Sequence, residues 1–199
     1  AAGIGMIHVP KSAGTSIASI LFGRSLGHFT VSEYYLGIGL LGNLSPPLFA
    51  VIREPEERFL SAYRFFRQGR TKDAGISLPY PRADFWKNDL DCFLAEYLEP
   101  TPDKERDYVF QSQSRFLAPK PYLRPPLYVF CLDDLDLLQG WLSEKLKKRV
   151  VFPRKNSTEP KYDVSLTDVQ RQQIWWLYHA DFELYEFVKT HNNFEAFSA

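Results

Sequence analysis

One lysine stands among very small residues in the segment PKSAGTS, residues 10–16. Small side chains let backbone amides approach a ligand closely, and the first amides of a helix lie at the positive end of its dipole. Lysine adds a full charge, and hydroxyl groups can donate further hydrogen bonds. The segment therefore predicts a phosphate-binding loop; the alternative is an ordinary tight turn that caps a helix. The predicted anion-binding residues are Lys11, Ser12, Ala13, Gly14, Thr15 and Ser16.

The order of lysine and glycine separates this loop from the Walker A loop of nucleoside triphosphatases. A Walker A loop has the pattern G-x-x-x-x-G-K-[ST], in which lysine follows the second glycine and the hydroxyl residue holds magnesium. Here Lys11 precedes Gly14, and the leading glycine is missing. A P-loop kinase or NTPase remains an alternative because YVFCLDD, residues 128–134, imitates a strand that ends in magnesium-binding aspartates.

A second cation follows the apolar run LFAVI, residues 48–52. Arg53 comes directly after this run, and a guanidinium group matches the geometry of a phosphate dianion better than an ammonium group does. The sequence therefore offers Arg53 as a second anion-binding residue. Its alternative role is a surface ion pair with Glu56 or Glu57, since such pairs are common and weak.

Both cations lie where an apolar strand gives way to a helix. Residues 4–9 predict a buried strand, and the helix that follows, residues 15–22, carries Ile17, Ile20 and Leu21 on one face. Residues 48–52 predict a strand buried on both sides, with the next helix starting at Pro55. The other predicted elements are a helix over 84–97, a strand over 127–132, an amphipathic helix over 133–148 and a C-terminal helix with a capping box at Ser165 and Asp168. The aromatic residues assigned to the core of that last helix are Trp175, Tyr178, Phe182 and Tyr185.

Strands that alternate with helices predict a three-layer α/β fold with a central parallel sheet flanked by helices. The 199 residues, 45% of them hydrophobic, suffice for one domain, 1–199, with an insertion over 68–126. Lysine plus arginine equals aspartate plus glutamate at 24 each, which argues against nucleic acid as a partner. No apolar run of 18 residues predicts membrane insertion, and Cys92 and Cys131 are expected to be buried free thiols. A cytoplasmic location is expected, with a Golgi lumenal domain second.

Two segments together resemble one enzyme family. IHVPKSAGTSI resembles the 5′-phosphosulfate loop of sulfotransferases that use 3′-phosphoadenosine 5′-phosphosulfate (PAPS), and FAVIREPEERFLSAY resembles their 3′-phosphate motif. The resemblance is to the carbohydrate-type group related to heparan sulfate 2-O-sulfotransferase. It departs from the commoner pattern at Ser12, where threonine is usual, and at Glu54, where aspartate is usual. It extends more weakly through LYVFCLDDLDLL, RKNST and YHADFELYEF.

The resemblance implies a P-loop-like fold and transfer of the sulfuryl group of PAPS to a hydroxyl of a carbohydrate or similar acceptor. Adenosine 3′,5′-bisphosphate is the implied product, and no metal is required. Lys11 would stabilise the leaving group, while Arg53 and Ser61 would hold the 3′-phosphate. The insertion would shape the acceptor site. A non-catalytic nucleotide-binding module is the alternative from another functional class.

The acceptor hydroxyl must lose a proton, and histidine is the commonest base near neutral pH. His8 lies in the first predicted strand, His179 in the last helix and His191 near the chain end, which leaves His28. GHFTVSEY, residues 27–34, also resembles the segment that carries the base in the 2-O-sulfotransferase branch. His28 is therefore the predicted catalytic base, and Glu33 is the alternative.

A basic loop supplies the last candidate residues. RKNSTEPKY, residues 154–162, is either a solvated loop or a segment that closes over the nucleotide, with Asn156 and Ser157 as its binding residues. Basic clusters at 67–72 and 145–149 are interpreted as a region that steers an acidic glycan and as the polar end of a helix, respectively.

Overall fold

A four-stranded sheet forms the centre of the computed structural model. The model describes residues 3–39, 46–68, 86–118, 126–152, 164–191 and 194–196. Strands β1 (Gly5–Ile7), β2 (Leu48–Ile52) and β3 (Leu127–Cys131) are parallel, and β4 (Phe194–Ala196) adds an antiparallel edge. The strand order is β1-β2-β3-β4. The prediction of an α/β fold with a parallel sheet is confirmed for these three strands.

The helices cover both faces of this sheet. Their bounds are α1 Gly14–Phe22, α2 Val31–Gly39, α3 Pro55–Arg67, α4 Leu90–Phe93, α5 Gln113–Leu117, α6 Leu135–Leu146, α7 Asp168–Leu177 and α8 His179–His191. A π-helical turn over Leu94–Leu98 continues α4, and 3₁₀ turns lie at Asp103–Glu105 and Leu132–Asp134.

Strand β2 shows why its sequence is apolar at every position. Successive side chains of a strand point to opposite faces, so a strand covered on both sides needs no polar residue. Leu48, Ala50 and Ile52 pack in a cluster with side chains of α2, α5 and α8. Phe49 and Val51 pack on the opposite side with side chains of α1 and α6. The result is three layers, with the sheet in the middle.

A second, aromatic core lies between α3, α4 and α7. It brings the described part of the 68–126 region against the helix that follows β2. The fully or nearly buried members include Phe59, Tyr63, Phe66, Trp86, Phe93, Tyr97, Phe110 and Tyr178. Residues 86–118 are thereby held next to the carboxyl end of β2, although they are remote from it in sequence.

Several sequence expectations need correction at the ends of helices. The helix predicted over 84–97 begins at Leu90, because the Asp89 side chain accepts a hydrogen bond from the Cys92 amide at 2.9 Å and caps it there; residues 84 and 85 lie outside the described ranges. In α1, Ile20 is 45% exposed and does not belong to the buried face.

The C-terminal helix also starts differently from the prediction. Its capping box is formed by Thr167 and Gln170, whose side chains each accept the other residue's amide, and not by Ser165 and Asp168. The helix is interrupted at Tyr178, which separates α7 from α8. Tyr178 and Tyr185 are buried as predicted, whereas Trp175 is 40% exposed because it lies on the outer side of α7.

Both cysteines are free thiols in the structure. Cys131 is buried, and burial raises the pKa of its thiol to about 12, whereas Cys92 is only partly buried. None of the helices in the described ranges is both long and apolar enough to cross a membrane.

Candidate active site

The loop after β1 has an unusual backbone. Lys11 and Ala13 adopt left-handed φ angles of 65° and 58°, whereas Ser12 between them does not. A left-handed conformation costs about 1–2 kcal/mol for a residue with a side chain. Alternating right- and left-handed residues turn successive amides toward one point and form a concave anion site. The strained backbone is therefore what the predicted anion-binding loop requires.

The N-terminus of α1 also suits an anion. Its N-cap residue, Ala13, supplies no side-chain hydrogen bond, and the first turn contains no acidic residue. Helix α3 differs, because the Glu54 side chain accepts the Glu57 amide at 2.7 Å and acidic residues fill its first turn. The first amides of a helix need partners. A bound anion can supply them at α1, whereas protein groups supply them at α3.

Gly14 packs closely against the ring of His8, which directly follows β1. A Cβ atom on Gly14 would lie 2.0 Å from Cδ2 and 2.5 Å from Nε2 of the His8 ring. His8 is buried and its Nδ1 donates to the Leu26 carbonyl at 2.9 Å, so its ring has little room to move. Burial lowers the pKa of His8 to about 4, with the neighbouring His28 adding to the effect, and the ring stays neutral.

We expect Gly14→Ala to lower the free energy of unfolding by about 1–3 kcal/mol, because a new methyl group must displace the buried His8 ring. Gly140→Ala is the matched control, since a Cβ at this position in α6 meets nothing within 4 Å. That variant should keep or raise stability by up to about 1 kcal/mol. Urea denaturation measures both, and equal stability of the two variants would contradict the close contact.

Lys11 provides the charge of the loop. Burial lowers the pKa of its ammonium group to about 8, and the positive charge of Arg53 contributes to the shift. The ammonium group lies over the ring of Phe65, with Nζ 4.3 Å from the ring centroid. Among the described residues, no carboxylate forms an ion pair with Lys11. A partly buried cation that interacts with a second cation favours an anionic ligand between them.

Arg53 directly follows β2, as predicted. Its guanidinium forms an ion pair with Glu57 at 3.1 Å, with the Arg53 side chain 26% exposed and that of Glu57 59% exposed. This is the alternative role that the sequence offered for Arg53. An exposed pair of this kind contributes about 0–1 kcal/mol, so a phosphate dianion can replace the carboxylate at little cost. Ser61 lies partly buried on α3, and no hydrogen bond joins it to Arg53.

His28 is held in one tautomer. Its Nδ1 lies 2.9 Å from the backbone carbonyl of His8, and a carbonyl can only accept, so Nδ1 carries the proton. Nε2 of the neutral ring then has a free lone pair and hydrogen-bonds to no described residue. The pKa of His28 is lowered, mainly by burial and to a smaller degree by the charge of Lys11. The hydrogen bond to His8 and the carboxylate of Asp107 oppose this shift.

Two rings pack against the imidazole of His28. The His8 ring is tilted against it, with ring centroids 4.1 Å apart, and the Tyr108 ring stacks on the His28 ring at 4.7 Å with an interplanar angle of 24°. Such packing fixes the ring plane and therefore the direction of the Nε2 lone pair. The charge of Lys11 lowers the pKa of His28, and the charge of Arg53 lowers the pKa of Lys11, so Lys11 links the three side chains electrostatically.

Glu33, the alternative base, has a structural role. Its carboxylate accepts from the amide and the hydroxyl of Thr30 at 2.8 and 2.9 Å, while the Thr30 hydroxyl accepts from the Glu33 amide. This is a capping box at the start of α2. The hydrogen bonds from Thr30 lower the pKa of Glu33, which makes its carboxylate a weaker base.

The remaining predicted residues are placed less centrally. Ser12 is buried, and its hydroxyl donates to Oε1 of Gln113 at 3.3 Å, which leaves its backbone amide for a ligand. Thr15 and Ser16 are exposed on the first turn of α1.

The other histidines considered as bases lie on α8. His179 interacts with Glu183 at 3.6 Å, and His191 bonds to the Phe187 carbonyl within α8. Asn156 and Ser157 lie outside the described residues, as does most of the basic cluster at 67–72.

Sequence reasoning missed two residues of this site. Gln113 contacts Ser12 and Arg53, and Tyr108 contacts His28. Both lie in residues 86–118, whose sequence carries no recognisable motif, and no local pattern marks them. His8, whose carbonyl accepts from His28, could have been noticed in the sequence as a polar residue inside a predicted strand that is otherwise apolar.

No protein-family model matches the chain, and no curated protein matches it.

Proposed function

We propose that this protein is a PAPS-dependent sulfotransferase that moves a sulfuryl group to a hydroxyl of a carbohydrate or similar acceptor. One observation carries the proposal: at the carboxyl ends of two adjacent parallel strands, a neutral histidine with a free Nε2 interacts with Lys11, which in turn interacts with Arg53. The P-loop-like variant of the α/β fold belongs to the same proposal.

The donor groups of the site suit a nucleotide with phosphate groups at the 3′ and 5′ positions of its ribose. The loop of residues 11–16 offers backbone amides and one ammonium group at one end. Arg53 offers a guanidinium at the other, and Ser61 on the following helix is its proposed partner. The charge of Arg53 contributes to the lowered pKa of Lys11, and two neighbouring cations of this kind favour a ligand that carries two separate anionic groups.

The chain's residues divide the work of an in-line transfer. His28 takes the acceptor's proton at Nε2 as the acceptor oxygen bonds to sulfur. The bond from sulfur to the 5′-phosphate oxygen breaks, and its electron pair remains on the departing adenosine 3′,5′-bisphosphate. Lys11 and the loop amides offset the charge that grows on that oxygen. As in phosphoryl transfer, the protein contributes mainly positioning and electrostatic stabilisation.

The 86–118 region supports the proposed position of the acceptor. Tyr108 stacks on the ring of His28, and the exposed ring of Phe29 follows His28 in the chain. We place the acceptor beside these aromatic side chains. Aromatic faces are suitable surfaces for the apolar face of a sugar ring.

Ligand-induced stabilisation tests the nucleotide part of the proposal. We expect adenosine 3′,5′-bisphosphate at 100 times its Kd to raise Tm by about 5–10 °C without magnesium. At the same concentration, adenosine 5′-monophosphate should raise Tm less, because it lacks the 3′-phosphate that we propose binds Arg53. The absence of any shift with the bisphosphate, together with a shift by ATP and magnesium, would instead support a P-loop kinase or NTPase.

The structure gives that alternative little support at β3. Asp133, the first aspartate of the segment that resembles a magnesium-binding motif, accepts a hydrogen bond from the Tyr185 hydroxyl. The same contact and burial raise the pKa of Tyr185. An aspartate held by a tyrosine in this way is less available to a hydrated magnesium ion.

Transfer itself distinguishes an enzyme from a non-catalytic nucleotide-binding module. Incubation with PAPS carrying radioactive sulfur and a panel of neutral and acidic oligosaccharides should yield a labelled carbohydrate. A module would bind the nucleotide and yield none with any acceptor of the panel.

A further inference from the structure

One buried glutamine connects the two loops that carry the cations. Gln113 is fully buried at the first position of α5. Its Oε1 accepts from the Arg53 amide at 2.8 Å, and its Nε2 donates to the Arg53 carbonyl at 2.8 Å. The same Oε1 accepts from the Ser12 hydroxyl at 3.3 Å. A single side chain therefore bonds to the loop after β1 and to the backbone after β2.

The partners of Gln113 lie next to the residues that carry the charges. Ser12 directly follows Lys11, and Arg53 is itself one of the two cations. The bonds to Arg53 engage both backbone groups of that residue, so they fix its position without using its guanidinium. Gln113 contacts neither the ammonium nor the guanidinium and leaves both for a ligand.

The backbone amide of Gln113 is also hydrogen-bonded. The buried Asp181 carboxylate accepts the amides of Gln113 and Ser114 at 2.8 Å each. Arg58 lies 3.9 Å from this carboxylate and donates to the carbonyls of Val109 and Gln111 at 3.2 and 2.9 Å. These contacts fix the start of α5 to α3 and α8. Gln113 is thus held at its backbone amide as well as at its side-chain amide.

We infer that Gln113 is a positioning residue that sets the spacing between the two anion pockets. The inference rests on the proposed function, because it assumes one ligand that occupies both pockets. A ligand with two linked anionic groups gains affinity only if both pockets are at the matching distance. Loss of the bonds from Gln113 lets the loops move relative to each other and removes that advantage. Each pocket taken singly keeps its own amides and cation.

Binding of one- and two-phosphate nucleotides tests this role. In Gln113→Met, which keeps length but removes the hydrogen bonds, the Kd of adenosine 3′,5′-bisphosphate should rise by about tenfold or more. The Kd values of adenosine 5′-monophosphate and adenosine 3′-monophosphate should change less than about threefold. Calorimetry measures the Kd of the bisphosphate, and NMR titration measures the Kd values of the two monophosphates, which bind more weakly.

Two further variants keep the result interpretable. Gln113→Asn stays polar and uncharged but is one methylene shorter, so its amide cannot reach both loops; it should show the same selective loss, and it serves if Gln113→Met does not fold. Gln170→Leu is the matched control. Gln170 is also buried and joins two elements, through its Nε2 and Asp91 at 2.7 Å, but it contacts neither loop. Its loss should leave the ratio of the Kd values unchanged.

The outcomes separate this inference from the proposed function. If the unmodified protein binds the bisphosphate no better than the monophosphates, the proposed function fails. If it binds the bisphosphate selectively and both Gln113 variants keep that selectivity, the positioning role is overturned. Equal weakening of all three nucleotides would also overturn it, because it would show a general loss of structure.

Discussion

Replacing His28 by alanine is expected to lower kcat by about 10²–10⁴-fold, the contribution that general bases commonly make. The structure supplies the reason: Nδ1 donates to the His8 carbonyl, so Nε2 is the basic nitrogen, and two rings fix its direction. Burial keeps the pKa of His28 below its ordinary value, so the ring is neutral and able to accept a proton at pH 7. Turnover is measured with PAPS and the acceptor that the oligosaccharide panel identifies.

The pH profile and a matched variant make this prediction specific. The rate constant kcat/KM should rise with pH through the lowered pKa of His28, and this acid limb should vanish in His28→Ala. The affinity for adenosine 3′,5′-bisphosphate should stay within about threefold, because His28 is not expected to bind the nucleotide. His179→Ala, an exposed histidine on α8, should behave as the unmodified protein. Full activity of His28→Ala would assign the base to another residue.

Removal of Lys11 should have the second large effect, a fall in kcat of about 10²–10³-fold. This is the usual loss when one group that stabilises developing negative charge is deleted from a preorganised site. Lys11→Ala and Lys11→Met should be equally inactive. The methionine retains packing over Phe65 but has no charge, so equal losses assign the effect to the ammonium group.

The titration of Lys11 gives an independent readout. A lysine must be protonated to offset negative charge, and the pKa of Lys11 in the free protein is lowered to about 8. The constant kcat/KM should therefore fall as pH rises through about 8, which gives a bell-shaped profile together with the limb of His28. Lys145→Ala removes another lysine that lies over an aromatic ring, on α6, and should change nothing. Normal turnover in both Lys11 variants would remove the proposed mechanism.

The sequence predicted those features that are encoded over a few residues. The continuous apolar run at β2 predicted a strand buried on both faces, and Pro55 with Glu56 and Glu57 predicted the start of α3. The small residues around Lys11 predicted a phosphate-binding loop between β1 and α1, and the structure has a loop there with left-handed residues at Lys11 and Ala13. These patterns reflect backbone sterics, strand alternation and helix dipoles, which act within one or two turns of the chain.

Local signals were less reliable where several residues could satisfy the same group. At the start of α7, both Ser165 with Asp168 and Thr167 with Gln170 fit a capping box approximately, and the structure uses the second pair. Helix α4 starts at Leu90 although its apolar pattern extends further back, because Asp89 caps it there. In both helices the start is marked by a side-chain hydrogen bond to a backbone amide, which several neighbouring residues could have made.

By itself the sequence predicted the three parallel strands, a phosphate-binding loop around Lys11 and the residue types available for chemistry, but not the antiparallel edge strand β4. Only the tertiary structure decided how those residues are held. Gln113 reaches Arg53 across 60 positions and Ser12 across 101, and the His8 carbonyl selects the tautomer of His28 from 20 positions away. No local pattern encodes such pairs, because the groups become neighbours only after strands pair and helices pack. Burial, which lowers the pKa of Lys11 and His28, arises from the same packing.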